Sequence, residues 1–343
     1  MSKWRKAAEE VPSVRKEEME KMTAYMDTLT KPQGSLGRLE ELAVKLAGIQ
    51  GKPDVSRPAV LVFAGDHGVT AEGVSLYGKE VTQLMVHNFV QGGAAINVLA
   101  EEIGASVTVT DVGVAGDTLF GSVDAKVKQG TGNIAREAAM TTGEASLAID
   151  AGIEASERAI AQGANLIIPG EMGIGNTTAT SALLAAWTGA SPEEVTGSGT
   201  GVTGEQLQLK QEVIGMALER ASWESTLEAF AEIGGLEIAA MSGAMIEAAK
   251  NRTPVLIDGF IASIAAMGAV RLAPFTADYF IFGHLSAEAG HKLALETLKA
   301  EPLLELKMRL GEGTGAAAAY PLVSMAAAIA DRMATFADLG IKQ

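Results

Sequence analysis

The sequence contains no cysteine among its 343 residues. Without thiols the chain cannot form disulfides, thiolate nucleophiles or cysteine-based zinc sites. Basic residues are also scarce, because 27 lysines and arginines stand against 42 aspartates and glutamates, a formal net charge of −15. Nucleic acid and anionic membrane surfaces repel such a chain, so neither is an expected partner. If an anionic ligand binds, local groups must overcome this field.

Long hydrophobic runs are missing as well. The longest apolar segment, residues 259–270 (GFIASIAAMGAV), is too short to span a membrane and is predicted to form a buried helix. The first residues, MSKWRKAAEEVPSVRKEEMEK, are charged throughout and lack the apolar core of a signal peptide. The expected location is therefore the cytoplasm, with no membrane partner.

Several catalytic motifs are absent too. The four histidines, His67, His87, His284 and His291, show no H-E-x-x-H and no other tight spacing, so no metal is expected. There is no G-x-S-x-G, which leaves a serine hydrolase unsupported. No G-x-G-x-x-G follows the first apolar run, which weakens a dinucleotide-dependent dehydrogenase. His67 and His284 follow predicted strands and remain candidates for a site.

Short β-rich runs alternate with helix-length segments along most of the chain. They are residues 59–63 (AVLVF), 106–110 (SVTVT), 165–168 (NLII), 254–257 (PVLI) and 278–282 (DYFIF). Several are apolar throughout, as expected for parallel strands that are covered on both faces. The pattern predicts an α/β fold with a Rossmann-like parallel sheet and helices on both faces. Most runs end in small or acidic residues, so we expect these turns to converge on one cleft.

The two ends of the chain differ from the middle because they lack strand patterns. Residues 14–30 and 38–49 are predicted to be helical, with KPQGSLG between them, and the chain is helical again from about residue 302. We predict a small helical domain built from residues 1–50 and 302–343. The large α/β domain, residues 51–301, is predicted to carry a nucleotide site.

The turn after the third apolar run resembles a phosphate-binding loop that has lost its lysine. Residues 170–177 (GEMGIGNT) match G-x-x-x-x-G-K-[ST] with Asn176 in the lysine position. Glycines let backbone N–H groups approach an anion, and the N-terminus of the following helix favours negative charge. Because the missing lysine is the group that reaches the β and γ phosphates of a triphosphate, this loop suits a single phosphate. The alternative is a glycine-rich turn without a ligand.

Two further glycine turns are candidates for ligand contact. Residues 197–204 (GSGTGVTG) precede a predicted helix in which Lys210 is the nearest cation. Residues 310–315 (LGEGTG) place Glu312 between glycines, with no neighbouring side chain in sequence to bury it or pair with it. Such a carboxylate is either a turn residue or a group that contacts a ligand.

Motifs in order along nearly the whole chain resemble the nicotinate-nucleotide:dimethylbenzimidazole phosphoribosyltransferase family, which makes the lower-ligand α-ribotide of cobamides. The motifs are KPQGSLGRLE, FAGDHGV, GGAAINVLA, GEMGIGNTT, GTG, GGLEIAAMSGAM, PVLIDGF, GHLSAEAGH and LGEGTGAA. The resemblance implies a dimeric pentosyltransferase. It would move phosphoribosyl from nicotinate mononucleotide to an aromatic base with β-to-α inversion and release nicotinate.

The resemblance also assigns roles to residues. Glu312 matches the family's catalytic base, and Glu171, also taken as catalytic, lies with Asp258 at positions near the ribose. The nucleotide site, with its single phosphate, falls on Gly173, Ile174, Gly175, Asn176, Gly199, Thr200, Gly201, Lys210, Ser286, Leu310 and Gly311. Nicotinate is a pyridinium while attached, so its departure neutralises a charge, and no cofactor or metal is expected.

The predicted acceptor pocket departs from the family pattern. Tyr77 and Met85 stand where benzimidazole-using members have serine and glutamine, and Met172 lies beside the loop. One interpretation is ordinary variation with dimethylbenzimidazole as the acceptor, since methionine fills gaps readily. The other is that phenol or p-cresol is the acceptor. Phenol-accepting relatives act as pairs of paralogous subunits, so the expected homodimer has a heterodimer with a paralogue as its alternative.

Two other functions stay open at this point. A non-catalytic paralogue would support an active partner, but Glu312, Lys210 and the phosphate loop are all retained here, and such a protein is free to lose them. The second open function is a dinucleotide-dependent oxidoreductase. An absorbance assay for reduced nicotinamide distinguishes it from a transferase.

Overall fold

A computed structural model describes residues 2–341, which fold around one six-stranded parallel sheet. The strands are β1 (Pro58–Gly65), β2 (Ser106–Gly113), β3 (Val123–Asp124), β4 (Leu166–Met172), β5 (Val255–Ile257) and β6 (Phe280–Phe282). Their order across the sheet is β3-β2-β1-β4-β5-β6, and every neighbouring pair is parallel. This is the strand order of dinucleotide-binding folds, so the predicted Rossmann-like sheet is confirmed.

Helices cover both faces of the sheet, as the sequence predicts. They are α1 (Lys3–Glu10), α2 (Lys16–Thr28), α3 (Arg38–Gln50), α4 (Glu80–Val90), α5 (Ala95–Glu102), α6 (Thr142–Ala161), α7 (Asn176–Thr188), α8 (Pro192–Val195), α9 (Glu205–Arg220), α10 (Thr226–Ile233), α11 (Leu236–Lys250), α12 (Phe260–Leu272), α13 (His291–Leu298) and α14 (Thr314–Arg332). In β1, Leu61 and Phe63 pack with α6, α11 and α12, whereas Val60 and Val62 pack with α4, α5 and α14. Because alternate side chains point to opposite faces, a continuous apolar run fills both layers.

The observed strands differ from the predicted ones mainly at their ends. β1 and β2 continue to Gly65 and Gly113, beyond the apolar runs. β6 begins at Phe280 rather than at residue 278, because Pro274–Tyr279 forms a 3₁₀ helix. β3 was not predicted, since two residues at the sheet edge give no apolar run.

Helices from both ends of the chain pack together beside the sheet. α2, α3 and α14 share a small apolar cluster, and its buried members are Met26, Leu29, Ala43 and Ala330. α1 lies elsewhere, against α6 and α11, where the Trp4 indole N–H donates to Ser146 Oγ at 2.9 Å. The predicted boundaries, residues 1–50 with 302–343 and residues 51–301, stay a prediction. Residues 1, 342 and 343 lie outside the described residues.

The apolar segment at residues 259–270 forms α12, which is largely buried, as predicted. Across residues 2–341, no helix combines the length with the apolar character that crossing a membrane requires.

The contact between α6 and α11 gives a stability prediction. A Cβ placed on Gly152 of α6 would overlap the Ala240 carbonyl oxygen of α11, so the two backbones are in direct contact. We expect Gly152→Ala to lower the free energy of unfolding by about 1 to 3 kcal/mol, because the helices must separate. Gly143→Ala in the same helix is the control, since a Cβ placed on Gly143 would lie 3.8 Å from its nearest neighbour, Thr141 Oγ1. Equal urea midpoints for the two variants would show that the layers adjust freely.

Candidate active site

A cleft of about 330 Å³ lies at the carboxyl ends of β4, β5 and β6. The turns after these strands line it, together with the segment before α14 and residues between β1 and the middle of α4. The prediction that strand-end turns converge on one cleft therefore holds for three strands. The segments AGDHG and DVG, at the carboxyl ends of β1 and β2, supply none of the lining residues that the structure describes.

Three helices begin at the cleft, and each directs its N-terminus toward it. They are α7, α12 and α14, which start at Asn176, Phe260 and Thr314. Gly175 and Gly313 precede two of them with φ angles of 95° and 90°, which glycine adopts without strain. At α7 and α12, free backbone N–H groups and the positive ends of the helix dipoles favour an anion here, despite the chain's negative charge. At α14 the first N–H groups already donate to a carboxylate of the protein, that of Asp258.

Glu171 is a buried carboxyl at the base of the cleft. Its Oε1 accepts the Glu312 backbone N–H at 3.4 Å, and its Oε2 accepts the Asn176 side-chain amide. Burial, followed by the charges of Glu237 and Asp258, raises the pKa of Glu171 to about 8. Glu171 is therefore predominantly protonated at neutral pH and can donate a hydrogen bond.

Glu312 occupies a turn that holds its carboxylate in place. Its φ is 64°, in the left-handed region, and Gly311 and Gly313 on either side also have positive φ. Glu312 is 4% exposed, and within residues 2–341 its Oε2 has no hydrogen-bond partner. Burial raises the pKa of Glu312, with the nearby Asp258 charge acting in the same direction. These are the properties of a general base, whose pKa is most effective when it lies near the working pH.

Asp258 fixes the turn that carries Glu312. Its carboxylate accepts backbone N–H groups from Gly313, Gly315 and Ala316 at 3.3, 2.6 and 3.0 Å, so it caps the N-terminus of α14. Burial raises the pKa of Asp258, while His284, whose Nε2 lies 3.6 Å from Oδ1, opposes that rise. The histidine candidate His284 thus lies in the cleft.

Lys210 lies beneath the glycine loops rather than in the cleft. Its ammonium donates to Thr177 Oγ1 at 2.8 Å and to the Gly197 carbonyl at 3.2 Å, and the side chain is buried. Burial lowers the pKa of Lys210 to about 8. The lysine therefore connects two glycine turns and adds positive charge behind them.

The outer part of the cleft, formed by α4 and the loop before it, is mainly apolar, with Ser75 as a polar residue. Tyr77, Met85 and Met172 all line it, and Val81 adds a further aliphatic surface. α4 spans Glu80–Val90, which places Met85 on a helix and Tyr77 in the loop before it.

Comparison with known proteins agrees with this geometry. A family model described as phosphoribosyltransferase matches residues 11–341. A nicotinate-nucleotide–dimethylbenzimidazole phosphoribosyltransferase from Chromobacterium violaceum is 51% identical over 323 residues, which cover 93% of this chain and 94% of the relative. This chain belongs to the same family. The relative of that name from Desulforamulus reducens is 47% identical over 332 residues, 95% of either chain.

Solved structures of the family share the whole fold. CobT from Thermus thermophilus superposes with a TM-score of 0.92 at 48% identity, over 95% of this chain and 99% of the other. The resemblance that the motifs carried is therefore confirmed, and with it the assignment of the chain to an enzyme family of pentosyltransferases.

For this family member, the structure brings most of the predicted site residues into one cleft. Of the predicted residues, Gly201 and Lys210 do not line the cleft. Those that do are Tyr77, Met85, Glu171, Met172, Gly173, Ile174, Gly175, Asn176, Gly199, Thr200, Asp258, Ser286, Leu310, Gly311 and Glu312. His67 does not line the cleft. Its Nε2 lies 2.7 Å from Glu237 Oε1, and both side chains are buried. The described residues contain no group of three or more histidine, aspartate or glutamate side chains arranged to hold a metal ion.

Sequence reasoning missed two charged residues of the cleft. Glu288 accepts the Gly199 N–H at 3.4 Å, and Arg309 donates to the Gly199 carbonyl at 2.9 Å. Motifs of the sequence could have indicated both, since Glu288 lies within GHLSAEAGH and Arg309 directly precedes LGEGTG. Their contact with the loop at Gly199 depends on tertiary packing.

Proposed function

We propose that this chain transfers phosphoribosyl from nicotinate mononucleotide to an aromatic base and releases nicotinate. The observation that carries the proposal is the Glu312 carboxylate, buried in the cleft with an oxygen free of protein partners in the described chain. The relatives' names contain the same donor and the acceptor dimethylbenzimidazole.

The proposed reaction needs one proton acceptor. Glu312 takes the proton of the acceptor's N–H or O–H while that atom attacks the anomeric carbon from the face opposite nicotinate, which inverts β to α. The bond between the anomeric carbon and nicotinate breaks, and its electron pair neutralises the pyridinium nitrogen. In this proposal Glu171, whose pKa burial raises to about 8, donates a hydrogen bond to the ribose. Such proton transfer contributes about 10²- to 10⁴-fold, and positioning by the loops supplies much of the rest.

The direct test combines purified protein, nicotinate mononucleotide and dimethylbenzimidazole, with products separated by chromatography. We expect the α-ribotide and nicotinate in equal amounts. A protein that binds the nucleotide but forms no product with any acceptor would instead be the non-catalytic paralogue. Formation of reduced nicotinamide, seen by absorbance, would indicate the oxidoreductase.

We further propose that phenol or p-cresol is an acceptor. Tyr77, Met85 and Met172 give the outer cleft aromatic and thioether surface, with few partners for a second ring nitrogen. A phenol needs one polar contact, from its hydroxyl to Glu312. We propose a homodimer as the working state, with a heterodimer with a paralogue as the alternative, and light scattering on the protein alone distinguishes the two.

Lys210→Ala is expected to weaken nucleotide binding more than catalysis. The variant loses a charge behind the glycine loops and the bonds to Thr177 and Gly197. We expect a loss of about 1.5 to 3 kcal/mol, read as KM for nicotinate mononucleotide. Nicotinate riboside, which lacks the phosphate, should be equally poor for the variant and the parent. Lys292→Ala, which removes an exposed lysine, is the control, and an unchanged KM for Lys210→Ala would show that the charge comes from elsewhere.

A further inference from the structure

Arg309 is an exposed arginine at the edge of the cleft. Among the described residues, it is the one lysine or arginine that lines the cavity. Four carboxyl side chains line the same cavity, those of Glu171, Asp258, Glu288 and Glu312. A doubly charged phosphate therefore needs a cation that faces the cleft, in addition to the helix N-termini.

Lys210 does not fill that role directly, because its ammonium is buried behind Thr177 and is bonded to Thr177 and Gly197. Most hydrogen-bond donors of the Arg309 guanidinium are not used by the described residues. A guanidinium carries five N–H groups, and within residues 2–341 one Arg309 nitrogen donates to one acceptor, the Gly199 carbonyl, at 2.9 Å. Arg309 also forms no ion pair with any described carboxylate.

The location of this contact points to the phosphate as the anion that Arg309 faces. Gly199 belongs to the second glycine loop, and Thr200 of that loop also lines the cleft. A carbonyl oxygen near a phosphate is unfavourable unless a cation lies between them, and a guanidinium can hold both at once. Arg309 also precedes Glu312 by three residues in the chain, so one side chain links the loop at Gly199 to the catalytic turn.

We propose that Arg309 binds the phosphate of the nucleotide directly while it holds the Gly199 carbonyl. The proposal rests on the proposed function, because it assigns a further substrate-binding residue for the same reaction. It divides the positive charge between Lys210, which acts from beneath the loops, and Arg309, which contacts the ligand from the cleft side.

The experiment measures binding by calorimetry, so turnover is not required. Nicotinate mononucleotide and nicotinate riboside are titrated into the parent, Arg309→Gln, Arg309→Lys and the control Arg332→Gln, which removes an exposed arginine of α14. We expect Arg309→Gln to raise the Kd of the mononucleotide by about 10- to 100-fold, as for loss of a charge-assisted bond, and to leave the riboside unchanged. Arg309→Lys should restore part of the affinity, and Arg332→Gln should behave like the parent.

Two results would overturn the proposal. One is an equal loss of affinity for the riboside, which places Arg309 at the nicotinate carboxylate or gives it a purely structural role in the loop. The other is no loss for either ligand. Circular dichroism melting of each variant tests folding, and Arg309→Lys keeps the test informative if Arg309→Gln does not fold. A parent that binds the mononucleotide but makes no product contradicts the proposed function and leaves this proposal standing.

Discussion

Glu312→Gln is expected to fold and to bind nicotinate mononucleotide like the parent, yet to lose at least about 10²-fold in kcat, because it removes only the proton acceptor. The substitution keeps the shape of the side chain, and glutamine tolerates the same φ of 64° no worse than glutamate does. Product formation with dimethylbenzimidazole gives kcat, and calorimetry gives the nucleotide affinity. Glu305→Gln, at an exposed position seven residues earlier, is the matched control.

The same variant should become more stable relative to the parent as pH rises. Burial raises the pKa of Glu312, so the folded state holds this proton more tightly than the unfolded chain does. The stability that comes from this proton is present below the carboxyl's ordinary pKa and is lost as pH rises through the raised value. Glutamine has no such loss, so the melting temperature of Glu312→Gln should exceed that of the parent at neutral pH and converge with it in acid.

These two readouts separate a catalytic role from a structural one. A buried carboxylate kept for stability would give a variant that melts earlier and loses activity in proportion. Undiminished turnover of dimethylbenzimidazole by Glu312→Gln would remove this residue from the mechanism. In that case Glu171, another carboxyl that lines the cleft, would be the next candidate for the base.

The fold was predictable where the sequence pattern depends on local burial. Residues 59–63 are apolar at every position because both faces of β1 are covered, and this run alone indicates a central parallel strand. β3 was not predictable, since Val123–Asp124 pairs with β2 over two residues at the edge of the sheet. The position of α1 was also hidden, because Trp4 bonds to Ser146, far away in sequence.

In the candidate site, too, some features were predictable from the sequence and others were not. The turn around Glu312 was predictable because glycines on both sides favour a turn there, and the spacing of residues 170–177 indicated the loop before α7. The second role of Asp258, as the cap of α14, requires knowing that β5 ends beside residues 313–316. The burial of Lys210 likewise depends on how α9 packs against α7, which no local pattern records.

Acceptor choice is the second large expected effect, and it depends on the outer part of the cleft. Ser75 and the Leu76 backbone both bond to Thr200 Oγ1 at 3.2 Å, so the loop that carries Tyr77 is attached to the second glycine loop. Tyr77 is 55% exposed, although it lines the cleft, and an acceptor ring packed against it would reduce that exposure. Met85 contributes from α4 on the same cavity.

Replacing Tyr77 by serine and Met85 by glutamine is therefore expected to shift preference from phenol toward dimethylbenzimidazole. Each substitution should change the ratio of kcat/KM values by about 1 to 3 kcal/mol, because it exchanges apolar contact for a hydrogen-bonding group that the second ring nitrogen can use. The measurement is competitive, with both acceptors, limiting nicotinate mononucleotide and chromatographic separation of the two ribotides. Tyr25→Ser with Met325→Gln, two exposed positions outside the cleft, controls for general surface effects. If the parent makes no phenolic ribotide from phenol alone at high concentration, and adding a paralogous subunit does not restore it, phenol is not an acceptor and dimethylbenzimidazole is the expected one.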